Sequence, residues 1–237
     1  MPASNARDAI RTYLKQIVYG GNDGIVTTFA IVAGFAGAEA QGVGLVGSVA
    51  VLIFGMANLT ADAVSMGLGE FLSGRSSRDI FHARHAEAEA AAAADPAQAA
   101  ARLAGHLARQ GLPPADARHA ADHLAESPRL MADLSLRYDH GMEAPDAHNP
   151  AARAWMTFLA FVTFGVIPIL PYLIAPTGSA TFLVSLVATA FALILLGLLR
   201  WSVSAETALR CVSETLAIGG LSAAVAFAAG LAVTVFA

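Results

Sequence analysis

A row of four side chains with oxygen or sulfur donor atoms recurs at every fourth position in an otherwise apolar stretch. The row consists of Asn58, Asp62, Met66 and Glu70. Side chains four residues apart lie on adjacent turns of one helical face. An amide, two carboxylates and a thioether together suit a partly dehydrated divalent cation of soft to borderline character. The spacing therefore predicts metal ligands along one helix.

The cost of a charge in an apolar environment favours a functional role for these residues. Asp62 lies near the middle of its apolar stretch, and Asp23 lies at the start of another, in the sequence Gly-Gly-Asn-Asp-Gly. Simpler interpretations are that residues 22–24 form a turn, that Met66 is ordinary core filling, and that Glu70 is at a membrane interface. Asp62 is the residue that these alternatives explain least well.

Histidines form a second set of candidate ligands, since all seven lie between His82 and His148. Two groups are spaced to lie near a helical face, and they consist of Asp79, His82, His85 and Glu89, and of His119, His123 and Glu126. Imidazole and carboxylate on adjacent turns can bind a transition metal. The alternative is a solvated polar face, and the sequence alone leaves both interpretations open.

The composition indicates a membrane protein. Hydrophobic residues make up 56% of the 237 residues and charged residues 14%, against about 25% charged in ordinary soluble domains. This excludes a disordered chain and an ordinary cytosolic enzyme. The net charge of −4 excludes a nucleic-acid binder that relies on bulk positive charge, and the single Cys211 excludes a disulfide scaffold.

Five apolar stretches are long enough to cross a bilayer as helices, for which about 20 residues are needed. They cover residues 24–40, 44–72, 155–175, 180–199 and 212–236. The predicted fold class is therefore all-α, with five transmembrane helices and a helical cytoplasmic insert between the second and the third. Pro168 and Pro171 are expected to kink the third span.

The basic residues predict the orientation. All fourteen Lys and Arg lie before residue 20, between 75 and 153, or at 200 and 210. With five spans these three segments share one side, which the positive-inside rule assigns to the cytoplasm. We therefore expect a multi-pass cell-membrane protein with its C-terminus outside. No signal peptide is expected, and residues 10–18 carry an apolar helical face suited to the membrane surface.

Three segments follow from this arrangement. Residues 1–72 hold an interfacial helix and the first two spans, residues 73–150 the insert, and residues 151–237 the last three spans. In the insert, the second span is expected to continue to about residue 94. Three further helices are expected after Asp95-Pro96, Pro113-Pro114 and Ser127-Pro128, since proline is favoured at the first helical position.

Three motifs resemble signatures of one known family. Residues 19–27 (Tyr-Gly-Gly-Asn-Asp-Gly-Ile-Val-Thr) resemble the first-helix signature of the vacuolar iron transporter (VIT/CCC1) family. Residues 65–73 (Ser-Met-Gly-Leu-Gly-Glu-Phe-Leu-Ser) resemble its second-helix signature, and residues 165–172 (Gly-Val-Ile-Pro-Ile-Leu-Pro-Tyr) its third. The motifs occur in the family's order, and five spans with an insert after the second also match.

The resemblance implies a homodimer that moves Fe²⁺ or Mn²⁺ out of the cytosol in exchange for protons. The ion path would lie between the first and second helices of the two subunits. Asp23 matches the family's first-helix pathway aspartate, and Met66 its second-helix methionine. Some members carry a glutamate where this chain has Asn58, so Asp62, one turn later, is the expected substitute. The expected partners are metal ions, protons and lipid, with no nucleic acid and no permanently bound cofactor.

The insert departs from the family pattern. In better-known members its first helix is rich in glutamate and collects metal, whereas here alanine dominates and Glu87 and Glu89 remain. Residues 137–143 resemble the family's segment with a ligand glutamate, which places Asp139 at that position. The metal-collecting role is either lost or shifted to the histidines, namely His82, His85, His119, His123 and His140.

Two other functions fit parts of the pattern. A membrane-bound di-iron oxygenase would use the histidines, but one His-x-x-His at 82–85 and one His-x-x-x-His at 119–123 are fewer than such enzymes need. A metal sensor without transport would keep the binding residues and lack a path. We expect a transporter that is not an enzyme.

Overall fold

A computed structural model describes residues 6–39, 48–145, 149–174 and 180–236. Within these ranges the chain forms helices and turns and contains no strand, which confirms the predicted all-α class. The helices are α1 (Ala6–Glu39), α2 (Ser48–Ala94), α3 (Pro96–Arg109), α4 (Pro114–Leu124), α5 (Pro128–His140), α6 (Pro150–Gly165), α7 (Leu170–Ile174), α8 (Thr181–Trp201) and α9 (Ala208–Phe236). Two compact units are present, residues 72–149 and the remainder.

Helix α1 passes without a break through the Gly-Gly-Asn-Asp-Gly sequence. The alternative interpretation of residues 22–24 as a turn is therefore wrong. The glycines serve close packing instead: a Cβ on Gly24 would overlap the Phe161 carbonyl oxygen of α6, and one on Gly20 would lie 2.6 Å from the Thr157 carbonyl oxygen. Small residues allow such backbone contact between membrane helices.

Replacing Gly24 with alanine should therefore lower stability by about 1–3 kcal/mol, because the two backbones must separate to admit a methyl group. The measurement is the thermal midpoint of the detergent-solubilised protein. Gly220→Ala on α9 is the matched control, since a Cβ there meets nothing within 4 Å. Equal midpoints for Gly24→Ala and the native protein would contradict the packing described.

On its other side α1 packs against α9. Gly230 approaches the Gly34 carbonyl oxygen, and Gly37 approaches the Phe227 carbonyl oxygen, both too closely for a side chain. Ile25 of α1 is fully buried in a cluster with Ala192, Leu193 and Leu196 of α8. Helix α1 is thus the central helix of its unit, which fixes the position of Asp23 from two directions.

The third predicted span is interrupted. Helix α6 ends at Gly165, residues 166–169 form turns, and the short α7 follows. This confirms the kink expected at Pro168 and Pro171, since proline cannot donate a backbone hydrogen bond. Ser185 Oγ of α8 donates to the Pro168 carbonyl oxygen at 2.6 Å, so a neighbouring helix satisfies a backbone group that the break exposes.

Among the described residues, three helices are long and apolar enough to cross a membrane. These stretches are Val49–Ala94, Thr181–Trp201 and Ala208–Ala232. The first and third predicted spans fall on α1 and on α6 with α7. Helix α6 has 16 residues because the prolines end the helix early, and residues 40–47 and 175–179, where three predicted span ends fall, lie outside the described residues.

The unit of residues 72–149 contains the end of α2 together with α3, α4 and α5. The predicted proline starts are confirmed: Asp95 accepts a hydrogen bond from the Gln98 backbone nitrogen at 2.9 Å, and Ser127 accepts one from Leu130 at 3.4 Å. The core is small because alanine supplies much of it. It contains Ala92, Ala99, Ala100, Leu103, Ala104, Ala121 and Met131.

Candidate metal site

The donor row on α2 lies at the border between the buried and the exposed face of the helix. The neighbouring Leu59 and Ala63 are 1% and 0% exposed. The four donors, at positions 58, 62, 66 and 70, are all half-buried, whereas positions 60, 61, 64 and 65 are exposed. The row therefore adjoins the neighbouring helices of its unit, where a cation could be shielded from lipid.

Two of the predicted ligands, Asn58 and Asp62, are in direct contact on α2. Asn58 Nδ2 donates a hydrogen bond of 2.6 Å to Asp62 Oδ2. Asp62 is also close enough to Asp23 of α1 for the two carboxylates to interact electrostatically. The Asn58–Asp62 pair on α2 and the Asp23 carboxylate on α1 thus place oxygen donors on two helices of the same unit. Hard oxygen donors of this kind bind divalent cations.

Met66 lies one turn further along α2 and packs against the apolar core that contains Phe29, Leu59 and Phe161. A methionine here fills space in the core, as the simpler interpretation expects. It also places a polarizable sulfur beside the carboxylate row, and packing does not exclude this second role. The two interpretations differ in what a leucine replacement does to ion preference.

Glu70 is engaged on two sides. Its Oε1 accepts a hydrogen bond from Gln16 Nε2 of α1 at 2.9 Å and lies 2.8 Å from Arg153 Nη2 of α6. Gln16 is 4% exposed. Sequence reasoning missed both partners, because Gln16 lies off the apolar face assigned to the N-terminal helix and Arg153 was counted only as a basic residue. Glu70 thus joins three helices of the unit.

The first histidine group is only partly assembled. His85 Nε2 lies 3.0 Å from Asp133 Oδ1, and its Nδ1 lies 3.6 Å from Glu89 Oε2. The two ring nitrogens point in opposite directions, so one metal ion cannot bind His85 together with both carboxylates. His82 is exposed, and its ring contacts the edge of Phe81. Asp133 is a partner that the spacing of residues on α2 could not indicate.

The second histidine group lies on the surface of α4. His123 Nδ1 and Glu126 Oε1 are 3.6 Å apart, with side chains 84% and 80% exposed. His119 is exposed one turn earlier. Across the described residues no group of three or more His, Cys, Asp or Glu side chains is close enough to hold a metal ion. The histidine sites therefore stay a prediction from spacing.

Asp139, the predicted substitute for a ligand glutamate, already has two hydrogen-bond partners. His106 Nε2 lies 2.5 Å from its Oδ1, and Ser135 Oγ donates to its Oδ2 at 2.9 Å. Arg109 Nη2 lies 2.7 Å from His106 Nδ1. Because a guanidinium can only donate, His106 Nδ1 accepts the hydrogen bond from Arg109. His106 Nε2 therefore carries the proton and donates a hydrogen bond to Asp139. Sequence reasoning missed His106, since residues 33 apart show no helical spacing.

These contacts predict a pH dependence. Burial alone would raise the pKa of Asp139, but the hydrogen bonds from Ser135 and His106 and the charge of Arg102 hold that pKa below its ordinary value. A lowered carboxyl pKa stabilises the fold above the unfolded-state pKa, and the stabilisation disappears as the pH falls through the folded-state value.

We therefore expect Asp139→Asn to speed amide hydrogen exchange in α3 and α5 at pH 5.5, and the difference from the native protein to shrink towards pH 3. Asp122→Asn, on the exposed face of α4, is the control and should show no such difference. An Asp139→Asn effect of constant size over this pH range would contradict the assignment.

A family model and curated relatives that match this chain all belong to vacuolar iron transporters. The model of the VIT family matches residues 14–231. "Vacuolar iron transporter 1" of Arabidopsis thaliana is 32% identical over 214 residues, which cover 90% of this chain and 83% of the relative. "Vacuolar iron transporter 2" of Oryza sativa subsp. japonica is 30% identical, with 93% and 87% covered, and "Vacuolar iron transporter" of Toxoplasma gondii is 28% identical, with 92% and 73% covered.

These relatives correct one prediction. The expected location in the cell membrane is wrong, because the similar proteins are named for the vacuole, an intracellular compartment. The reason is physical: the positive-inside rule orients spans relative to the cytoplasm and does not distinguish one cellular membrane from another. The relatives are named as transporters and not as enzymes. With 218 of its 237 positions inside the matched range, residues 14–231, the chain belongs to the VIT family.

Proposed function

We propose that this protein transports a divalent transition metal, Fe²⁺ or Mn²⁺, out of the cytosol. The observation that supports this most is the hydrogen-bonded pair Asn58–Asp62 on α2, which acts electrostatically on Asp23 of α1 and has Met66 one turn away. Iron transport is the function in the names of the similar proteins. A carboxylate in an apolar helix is costly, so it marks a functional site by default.

The proposed membrane arrangement has five spans, with residues 73–150 as a cytoplasmic insert between 1–72 and 151–237. The distribution of basic residues supports it, because each segment assigned to the cytoplasm carries Lys or Arg and the others carry none. In this arrangement metal enters beside Glu70 and passes Met66 and Asp62. Asp23, on the facing helix, completes the carboxylate pair.

We further propose that the working form is a homodimer. The exposed side of α2 next to the donor row is apolar, with Ile53, Val64 and Leu68 each at least half exposed. A second copy packed on this side would place two donor rows opposite each other and double the number of ligands. Transition-metal sites need about four ligands or more, and one row supplies fewer at any one level.

Proton exchange follows from the same carboxylates. A metal ion binds the deprotonated form, so binding displaces protons from the oxygens it uses. Asn58 cannot take part because an amide does not titrate in this range. Asp23 and Asp62 are the groups that we propose to carry the exchanged protons.

The test is flux into proteoliposomes with a metal-sensitive dye and a pH dye inside. The native protein should admit Fe²⁺ or Mn²⁺, and an imposed proton gradient should accelerate metal entry while protons leave. Empty vesicles are the control. A purified, folded and reconstituted protein that binds metal but passes none would contradict the proposal and favour a sensor.

A further inference from the structure

The last carboxylate of the donor row is already paired with a positive charge. Arg153 Nη2 and Gln16 Nε2 both reach Oε1 of Glu70, at 2.8 and 2.9 Å. The Arg153 and Glu70 side chains are 22% and 21% exposed. A guanidinium carries a positive charge and only donates hydrogen bonds. Solvent and salt screen a pair this buried only weakly.

The two helices that carry the ion pair are in direct contact beside it. A Cβ on Gly67, one turn before Glu70, would lie 3.3 Å from Phe158 Cβ and 3.4 Å from the Ala154 carbonyl oxygen of α6. Helices α2 and α6 are therefore in van der Waals contact beside the ion pair. Arg153 lies one residue before Ala154, so its backbone lies beside this contact and its guanidinium reaches Glu70 at 2.8 Å.

We propose that Arg153 is a tethered cation that an entering metal ion must displace from Glu70, and that this exchange sets affinity and charge selectivity at the entrance of the path. The inference rests on the proposed function and deepens it. A monovalent ion would exchange one charge for one and gain little. A divalent ion brings twice the charge to the same carboxylate, so displacement favours divalent metals.

Exchange at Glu70 also has a mechanical consequence. Glu70 links α2 to α6 through Arg153 and to α1 through Gln16. Once metal replaces Arg153, the ion pair between Glu70 of α2 and Arg153 of α6 is lost, while the apolar contacts near Gly67 remain. Arg153 is thus a positioning residue for the transport site. Its removal should lower KM, which means tighter metal binding, and should also lower the maximal rate of transport.

The experiment compares metal flux for the native protein with Arg153→Gln and Arg153→Lys. Without the competing charge, Arg153→Gln should lower KM about tenfold, equivalent to about 1.4 kcal/mol, and lower the maximal rate because metal leaves Glu70 more slowly. Potassium ions should inhibit Arg153→Gln and leave the native protein unaffected. Arg153→Lys retains a cation and should keep a KM within about threefold of native.

Two further variants keep the test independent of folding defects. Arg200→Gln breaks an ion pair of the same 2.8 Å length, with Glu214, and should leave KM unchanged. The double variant Glu70→Gln/Arg153→Gln leaves no unpaired charge and should raise KM above the native value, because the entrance carboxylate is missing. A purely structural ion pair predicts a native KM in each folded variant, and that result would overturn the inference. If the native protein itself moves no metal, the proposed function fails instead.

Discussion

Replacing Asp62 with asparagine is expected to slow metal transport into proteoliposomes about 100-fold, equivalent to about 2.7 kcal/mol in the barrier. Asparagine keeps the size of the side chain and can still hydrogen-bond with Asn58, so the helix should pack as before. The negative charge that compensates a dehydrated cation beside Asp23 is lost. The initial rate of metal entry, measured with an internal dye, gives the result.

Thr60→Ala is the matched control on the same helix. Thr60 is exposed, and its hydroxyl bonds only to the Met56 and Ala57 carbonyl oxygens of its own helix. Transport by this variant should equal that of the native protein. If Asp62→Asn folds normally and transports at more than half the native rate, the α2 row is not the path.

The second large effect is expected at Met66. Replacement by leucine keeps the apolar volume and the core packing but removes the sulfur donor. We expect Fe²⁺ transport to fall about tenfold and Mn²⁺ transport to fall less, because a soft thioether contributes more to ions later in the stability order. The measurement is the ratio of the two rates in competition.

Met56→Leu supplies the comparison for a methionine on the same helix that lies outside the row, on an exposed position. Its ratio of Fe²⁺ to Mn²⁺ transport should stay at the native value. An unchanged ratio in Met66→Leu would assign that sulfur to core packing alone, and a change of equal size in Met56→Leu would make the effect non-specific.

Local signals in the sequence were sufficient for the helices and their starts. The length of the five apolar stretches and the helix-start signals of the insert predicted the all-α class, and the cap residues Asp95 and Ser127 begin their helices as expected. The third predicted span is broken near its prolines as predicted, with Pro168 in the turn between α6 and α7 and Pro171 at the start of α7. These features depend on neighbours within a few residues, so a single sequence contains the information.

The row on α2 was predictable for a related reason. Positions four apart share one face of a helix in any fold. The sequence therefore predicted the row, and the structure was needed only to show whether the row is buried or exposed. Its half-buried position beside Leu59 and Ala63 depends on packing with other helices. The electrostatic influence of Asp62 on Asp23 could not be predicted from spacing, because the two residues lie on different helices.

Partners from distant parts of the chain were not predictable. Three pairs of side chains connect residues that are 33 to 83 positions apart in the sequence. They are Glu70 with Arg153, His85 with Asp133, and His106 with Asp139. Charge counting placed Arg153 on the cytoplasmic side but could not pair it. The N-terminal segment was likewise expected as a separate surface helix, whereas α1 continues through Gly20 and Gly24, because these glycines fit against the α6 backbone.

The most direct test of a metal path along α2 is anomalous diffraction at the manganese edge from crystals of the full-length protein grown with Mn²⁺. The proposed function predicts an anomalous peak within coordination distance of Asp62 or Asp23, reduced or absent in Asp62→Asn crystals. Peaks confined to the histidines of residues 72–149, with none beside the α2 row at saturating Mn²⁺, would contradict it.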